Sequence, residues 1–154
     1  MLSTEQVKKI GLLSDTVLYP EAVAFVRQLM QKEQCDPLPT SQVNGLLNVA
    51  TSATYDQLHT FVVHQRDRDW PASKRDIKTF YTALEKFLTT MQTRRIRSEF
   101  HLLTDGLNTR QAKQEADTVM LLLMQNFIQH LVAENGLFVA ADADARMRER
   151  GNRR

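Results

Sequence analysis

Three observations predict an all-α protein. Only 5 Gly and 4 Pro punctuate the 154 residues, and they gather between long stretches instead of breaking them. Those stretches are rich in Leu, Ala, Gln, Lys and Glu, the residues that lose least on entering a helix. Their apolar residues recur every three or four positions, the period of one helix face. With 42% hydrophobic residues, a chain of this length closes one core. The expectation is a single-domain antiparallel bundle of about five to six helices over residues 1–139, followed by a basic, flexible tail over 140–154.

Taken in order, Ser3 with Gln6 three residues on forms a capping box for a short first helix carrying Val7 and Ile10, with Gly11 near its stop. Pro20, at the favoured first position, opens a second with Ala22, Val23, Val26, Leu29 and Met30. It ends before Cys35-Asp36-Pro37-Leu38-Pro39. Thr40 or Ser41 caps a third bearing Val43, Leu46, Leu47 and Ala50. Thr54 with Gln57 boxes a fourth, with Tyr55, Leu58, Phe61 and Val62 inward, ending at Trp70-Pro71 because proline pushes its predecessor out of helical geometry.

Ser73 caps the longest helix, whose seam reads Ile77, Phe80, Tyr81, Leu84, Phe87, Leu88 and Met91. Ile96, Phe100 and Leu103 continue it, but the five-residue step from Met91 to Ile96 rotates the face. Either the helix bends near Thr93 or the stripe meets another neighbour there; Gly106 is its stop. Asn108 with Gln111 opens the last long helix, from Ala112 and Ala116 through Val119, Met120, Leu123, Phe127, Ile128 and Leu131, stopping at Asn135-Gly136. Beyond Ala140 there is little to bury, and Arg146, Arg148, Arg150, Arg153 and Arg154 crowd the end, a composition that stays frayed until a partner orders it.

Few residues suggest chemistry. His59 and His64 are five apart and do not share a helix face, while His101 and His130 stand alone, with Asp105 one turn from His101. Asp142-Ala143-Asp144 lacks the glycine and distal glutamate of a calcium loop. No phosphate-binding glycine loop or nucleophile elbow is present, and Cys35 has no histidine nearby in sequence. The expectation is therefore no enzyme site, no metal and no cofactor. One cysteine forms no internal disulfide, and the N-terminus lacks a secretory pattern. No apolar run approaches the ~20 residues that span a bilayer, so a cytoplasmic protein without a membrane role is expected.

Charge is more informative. The net charge is only +2, but residues 1–65 hold 4 basic against 6 acidic, a net −2, and residues 66–154 hold 16 against 12, a net +4. Between Lys74 and Arg97, seven cations (Lys74, Arg75, Lys78, Lys86, Arg94, Arg95, Arg97) face only Asp76 and Glu85, a local +5. Lys74 with Lys78, and Arg94 with Arg97, lie one turn apart, so each pair projects from one side of a helix whose other side is apolar. Rows of this kind meet phosphates, and the planar fork of Arg suits their oxygens. Arg66 and Arg68 extend the surface. The candidate nucleic-acid contacts are thus Arg66, Arg68, Lys74, Arg75, Lys78, Arg94, Arg95 and Arg97. The competing reading is a solvated helix face whose long stems cover the core edge. Trp70, beside two arginines, reads as a plug at the end of the bundle before it reads as a stacking platform.

Three short stretches carry a family resemblance. Pro39-Thr40-Ser41-Gln42-Val43 resembles the Thr-Ser-Gln-(Ile/Leu)-Arg helix start of the small subunit of type III CRISPR effector complexes, with Asn44 where that family often has arginine. Leu58 to Arg66, ending Val63-His64-Gln65-Arg66, is similar to the family's following helix. Phe127 through Leu131-Val132-Ala133 is similar to its C-terminal helix, although Glu134 and Asn135 replace the aromatic and basic residues that follow there. The resemblance spans about residues 40 to 138. It implies a non-catalytic helical subunit, present in several copies and stacked against other subunits, whose basic side lines the path of guide and target RNA. The departure at Asn44 removes one expected contact, for which the cations above are the substitutes. The alternative is a helical protein-interaction or adaptor module with no nucleic-acid role; a helix-turn-helix DNA regulator over residues 41–69 is a third.

Overall fold

Ser3 opens the first helix as its sequence predicts. Its hydroxyl accepts the Gln6 N–H at 3.1 Å and its own N–H donates to Gln6 Oε1 at 2.8 Å, satisfying two otherwise orphaned amides. In the computed structural model, which describes residues 1–153, the helix α1 (Thr4–Leu13) then runs straight through Gly11. Gly11 does not take the positive φ of a stop signal. A π-helical turn, Ser14–Leu18, carries the chain into α2 (Tyr19–Arg27), and a second, Gln28–Lys32, prolongs it. The two expected helices are therefore one rod over residues 4–32. The wide turn explains how Pro20 is tolerated inside it: Tyr19 donates to the Ser14 carbonyl five residues back, so the ladder is already loosened where proline would break it. The rod ends where Gln34 adopts a φ of 54° and Cys35 N–H returns to the Leu29 carbonyl at 2.9 Å.

Helix α3 (Thr40–Ser52) starts one or two residues earlier than a cap at Thr40 or Ser41 would place it. Pro39 occupies the capping position, its carbonyl accepting from Gln42 at 2.9 Å and Val43 at 3.0 Å, and neither Thr40 nor Ser41 caps. Helix α4 (Tyr55–Asp67) keeps its Thr54–Gln57 capping box. Trp70 is half-buried against the core and donates its indole N–H to the Gln65 carbonyl at 2.7 Å, which locks the α4 exit. Ser73 does not cap: it lies within a 3₁₀ turn, Ala72–Lys74, that feeds α5 (Arg75–Thr90).

The five-residue step from Met91 to Ile96 has a structural counterpart. Residues Met91–Glu99 form a π-helix, in which positions five apart share a face, so Met91 and Ile96 are both buried. This rod stops at Glu99, well before the predicted Gly106. Phe100 N–H returns to Arg95 O at 2.8 Å, Leu102 N–H to Ile96 O at 2.9 Å, and His101 between them takes a φ of 49°. Gly106, at φ 79°, serves the turn that follows.

Asn108 caps α6 (Thr109–Asn152) by accepting the Gln111 N–H at 2.9 Å. At 44 residues α6, not α5, is the longest helix, and it does not stop at Asn135-Gly136. Asn135 is buried, accepting the Leu38 N–H at 2.8 Å and donating to the Leu38 carbonyl at 3.1 Å. An amide committed to another segment cannot cap its own helix. The stretch from Ala140, expected as a flexible tail, continues α6 to Asn152 and is exposed at every position; Arg154 lies outside the described residues.

Contacts at the two ends give the topology. At one end Gln6 Nε2 donates to Leu102 O (2.9 Å) and to Glu115 (3.1 Å), and Lys113 meets Asp56 at 3.5 Å. At the other, Asn135 holds Leu38 and Asp36 N–H donates to Asp76 at 2.9 Å. The five rods thus run up, down, up, down and up, each antiparallel to the next. Along α6 the buried residues come in adjacent pairs, Val119–Met120, Leu123–Met124 and Phe127–Ile128. That arc is wider than one neighbour needs, because α6 is the central staff against which the others pack. Phe127 shows the scheme: Phe87 of α5 stacks on it at 3.9 Å and 6°, and Phe25 of α2 meets it edge-on at 5.9 Å. Burying each such ring contributes about 2–3 kcal/mol.

Replacing Asn135 by Ala leaves the buried N–H and C=O of Leu38 without partners. We expect a loss of about 2–3 kcal/mol in unfolding free energy, read by urea denaturation. A change under 0.5 kcal/mol would mean that the 33–39 segment is held by other means.

Candidate nucleic-acid interface

The eight cations expected on one surface separate into two kinds. Arg66 and Arg95 are consumed within the bundle. Arg66 pairs with Asp67 at 2.9 Å and with Glu85 at 3.2 Å across α4 and α5. Its hydrogen bond is the main reason the Asp67 carboxyl sits below the usual range, with Lys78 adding a weaker pull. Arg95 is 9% exposed. It reaches Glu21 at 2.7 Å and Glu99 at 2.7 Å, and its guanidinium lies 4.9 Å from the Phe100 ring centroid. Burial disfavours the charge, but the hydrogen bonds that Arg95 donates to Glu99 and Glu21 outweigh it and hold the Arg95 pKa above its ordinary value. The expectation that Arg95 contacts phosphate is corrected: it clamps the π-helical segment to α2. Its neighbours in sequence concealed this, since the π-helical register turns residue 95 inward between two outward arginines.

The other six are exposed and have no ion-pair partner among the described residues. Arg68 lies 4.6 Å from the Trp70 ring centroid. Lys74, Arg75 and Lys78 follow at the start of α5, and Arg94 and Arg97 stand on its π-helical continuation. Along this rod the exposed positions are 75, 78, 82, 86, 89, 92, 93, 94, 97, 98 and 99. Steps of three and four link 75, 78, 82, 86, 89 and 93, and Arg94 and Arg97, three apart, follow on the π-helical continuation, over about 30 Å in all at 1.5 Å per residue. Five of these are cations and three are threonines; Gln92, Ser98 and Glu99 make up the rest. Lys86 joins the row at mid-length. It was visible in the local charge excess, but only the row of exposed positions distinguishes it from a lone lysine.

Equally telling is where the carboxylates of this segment go. Asp76 accepts the Asp36 N–H at 2.9 Å. Glu85 accepts from Arg66 and from the Thr89 hydroxyl at 2.8 Å, and Glu99 is bound by Arg95. Each is occupied by an internal partner, and of the three only Glu99 remains exposed, at the end of the row. A low-dielectric flank bearing unpaired cations concentrates polyanions by long-range attraction.

The remaining polar groups do structural work. Ser14 Oγ lies 2.9 Å from His130 Nε2, with Tyr19 edge-on to the imidazole at 5.3 Å, joining the first rod to α6. His59 stacks on Tyr55 and approaches Glu85 at 3.7 Å. Burial first, then Asp76, raises the Cys35 thiol pKa, which leaves it a poor nucleophile. No group of three or more His, Cys, Asp or Glu side chains able to hold a metal occurs among the described residues, and none of their helices is long and apolar enough to cross a membrane. No known protein family, curated protein or solved structure matches this chain.

Arg95→Met should cost about 2 kcal/mol, at the lower side of buried pairs because Glu21 and Glu99 are partly exposed. The Glu99 carboxyl is held below its ordinary pKa chiefly by the Arg95 hydrogen bond. Its contribution is therefore full above the unfolded value of ~4.3 and disappears as pH falls through the lower folded one. The gap between wild type and variant in urea melts should narrow below about pH 4; a gap that stays constant would contradict the clamp.

Proposed function

We propose that this chain is a non-catalytic helical subunit that binds the sugar-phosphate backbone of single-stranded RNA along α5 without reading sequence. The assembly it would serve is the RNA-guided type III CRISPR effector, whose small subunit it resembles at residues 39–43, 58–66 and 127–133. One observation carries the reading: an outward row of Arg75, Lys78, Lys86, Arg94 and Arg97, about 30 Å long and without ion-pair partners among the described residues, while Asp76, Glu85 and Glu99 of the same segment are each engaged by other groups. Phosphate contacts supply affinity that is indifferent to base identity, and a rigid rod presents them at fixed intervals. Lys74 and Arg68 extend the row at the α4–α5 corner. Asn44, where the family often has arginine, is exposed on α3, so the contact is reassigned to α5 and not filled in place.

A second reading has its own observation. From Val139 onward α6 stands clear of the bundle, with Val139 and Met147 exposed by 42% and 71%. An isolated helix of this length is marginal in water, which favours a protein partner, another copy or a neighbouring subunit, along it. On this view the chain is an adaptor and the α5 cations only solubilise it.

Binding to single-stranded RNA of several sequences separates the two. The first reading expects affinity that falls steeply with salt, a slope reduced by about 0.7 for each cation of the α5 row replaced by alanine, and the same loss for every sequence. Arg95→Met, by contrast, should leave the slope unchanged. Salt-insensitive binding, or a protein partner retained after nuclease digestion with no RNA bound, would establish the adaptor instead.

A further inference from the structure

Beside the cationic row lies a groove of about 290 Å³ lined by Phe25, Ala83, Lys86, Phe87, Thr90 and Arg95. Phe25 of α2 meets Phe80 of α5 edge-on at 5.6 Å, and the groove opens beside that contact. Both helices rest on Phe127 of α6, Phe87 face-on and Phe25 edge-on, which leaves parts of the Phe25 and Phe87 rings open to solvent. The volume is near the lower end for sites that take small molecules or their fragments, roughly 300 Å³.

Its rim is chemically distinct from an ordinary seam between helices. Thr79, Thr82 and Thr93 spend their hydroxyls on backbone carbonyls, and Thr89 spends its own on Glu85. The Thr90 hydroxyl has no partner among the described residues. Neither has the Lys86 ammonium, which belongs at once to the groove and to the row of phosphate-binding candidates. Arg95 closes the far side but is held by Glu21 and Glu99. An occupant must therefore be flat and apolar on its faces, offer hydrogen-bonding atoms at its edge toward Thr90, and be joined to an anion at Lys86.

We propose that the Phe25–Phe87 groove receives one unstacked base of a single strand whose phosphates lie on α5, with Lys86 bridging base site and backbone. The inference rests on the RNA-binding reading and adds to it a preference for single over double strands, because a paired and stacked base cannot enter. Stacking on aromatic rings is tolerant of base identity, so sequence independence is retained.

The test uses the whole protein and a short single-stranded RNA, compared with the same strand carrying abasic sites at every second position. The base-bearing strand should bind about tenfold more tightly, with the salt slope the same for both. 2-Aminopurine placed in the strand should lose fluorescence on binding. Ala83→Trp, which fills the groove from its α5 wall, should abolish both the tenfold preference and the quenching while leaving the salt slope intact. Equal affinity for abasic and base-bearing strands in the wild type overturns the groove assignment and leaves the backbone reading standing, whether or not the variant folds. Displacement from the groove of a fluorescent fatty acid, with no effect of RNA, overturns it in favour of an acyl occupant. Absence of salt-dependent binding to either strand overturns the parent reading as well.

Discussion

The packing of four rods around α6 is the constraint on which the rest of this structure depends. A helix that serves one neighbour needs an apolar stripe; α6 buries adjacent residues turn after turn because it is surrounded. Removing that arc from water supplies the dominant stabilisation. It also sets the positions of everything outside it. Phe127, with the Phe25–Phe80 contact, sets how α2 and α5 lie against each other, and the aromatic groove opens between them. Where α6 outgrows the bundle the packing ends, and with it the burial of every residue after Phe138.

Around this staff, three π-helical segments act as register corrections. The one at Ser14–Leu18 precedes Pro20 and keeps the first rod continuous. The one at Met91–Glu99 keeps Met91 and Ile96 on the core side although they are five apart. The latter has an electrostatic result as well as a packing one. It points Arg95 inward to Glu21 and Glu99 while Arg94 and Arg97 stay outside. A regular α-helix through the same residues would not keep both faces in order, since four-residue rows drift away from a five-residue step.

The sorting of charge follows from the same geometry. Carboxylates of the α5 segment are taken up by a backbone amide, by Arg66 and by Arg95, each within hydrogen-bond reach. Those bonds stabilise the bundle modestly, as partly exposed pairs do. Their larger effect is to neutralise negative charge beside the outer row, so that a chain of net charge only +2 presents a line of unpaired cations along α5. A polyanion responds to that local field more than to the net charge.

By itself the sequence determined the all-α class, the number of rods within one, the Ser3, Thr54 and Asn108 caps, and the α5 seam from Ile77 to Met91. These depend on neighbours three or four residues away, and such interactions are written in local order. It misplaced the stops at Gly11, Gly106 and Asn135-Gly136, and it counted Arg95 and Arg66 among the outward cations. Each of those outcomes was decided by a partner far along the chain: Leu38 for Asn135, Glu21 for Arg95, Glu85 for Arg66. A glycine or asparagine permits a helix to end, but burial and long-range hydrogen bonds decide whether it does. The Phe25–Phe87 groove lay furthest from view, because it joins residues 25, 87 and 127 that only the packed bundle brings together.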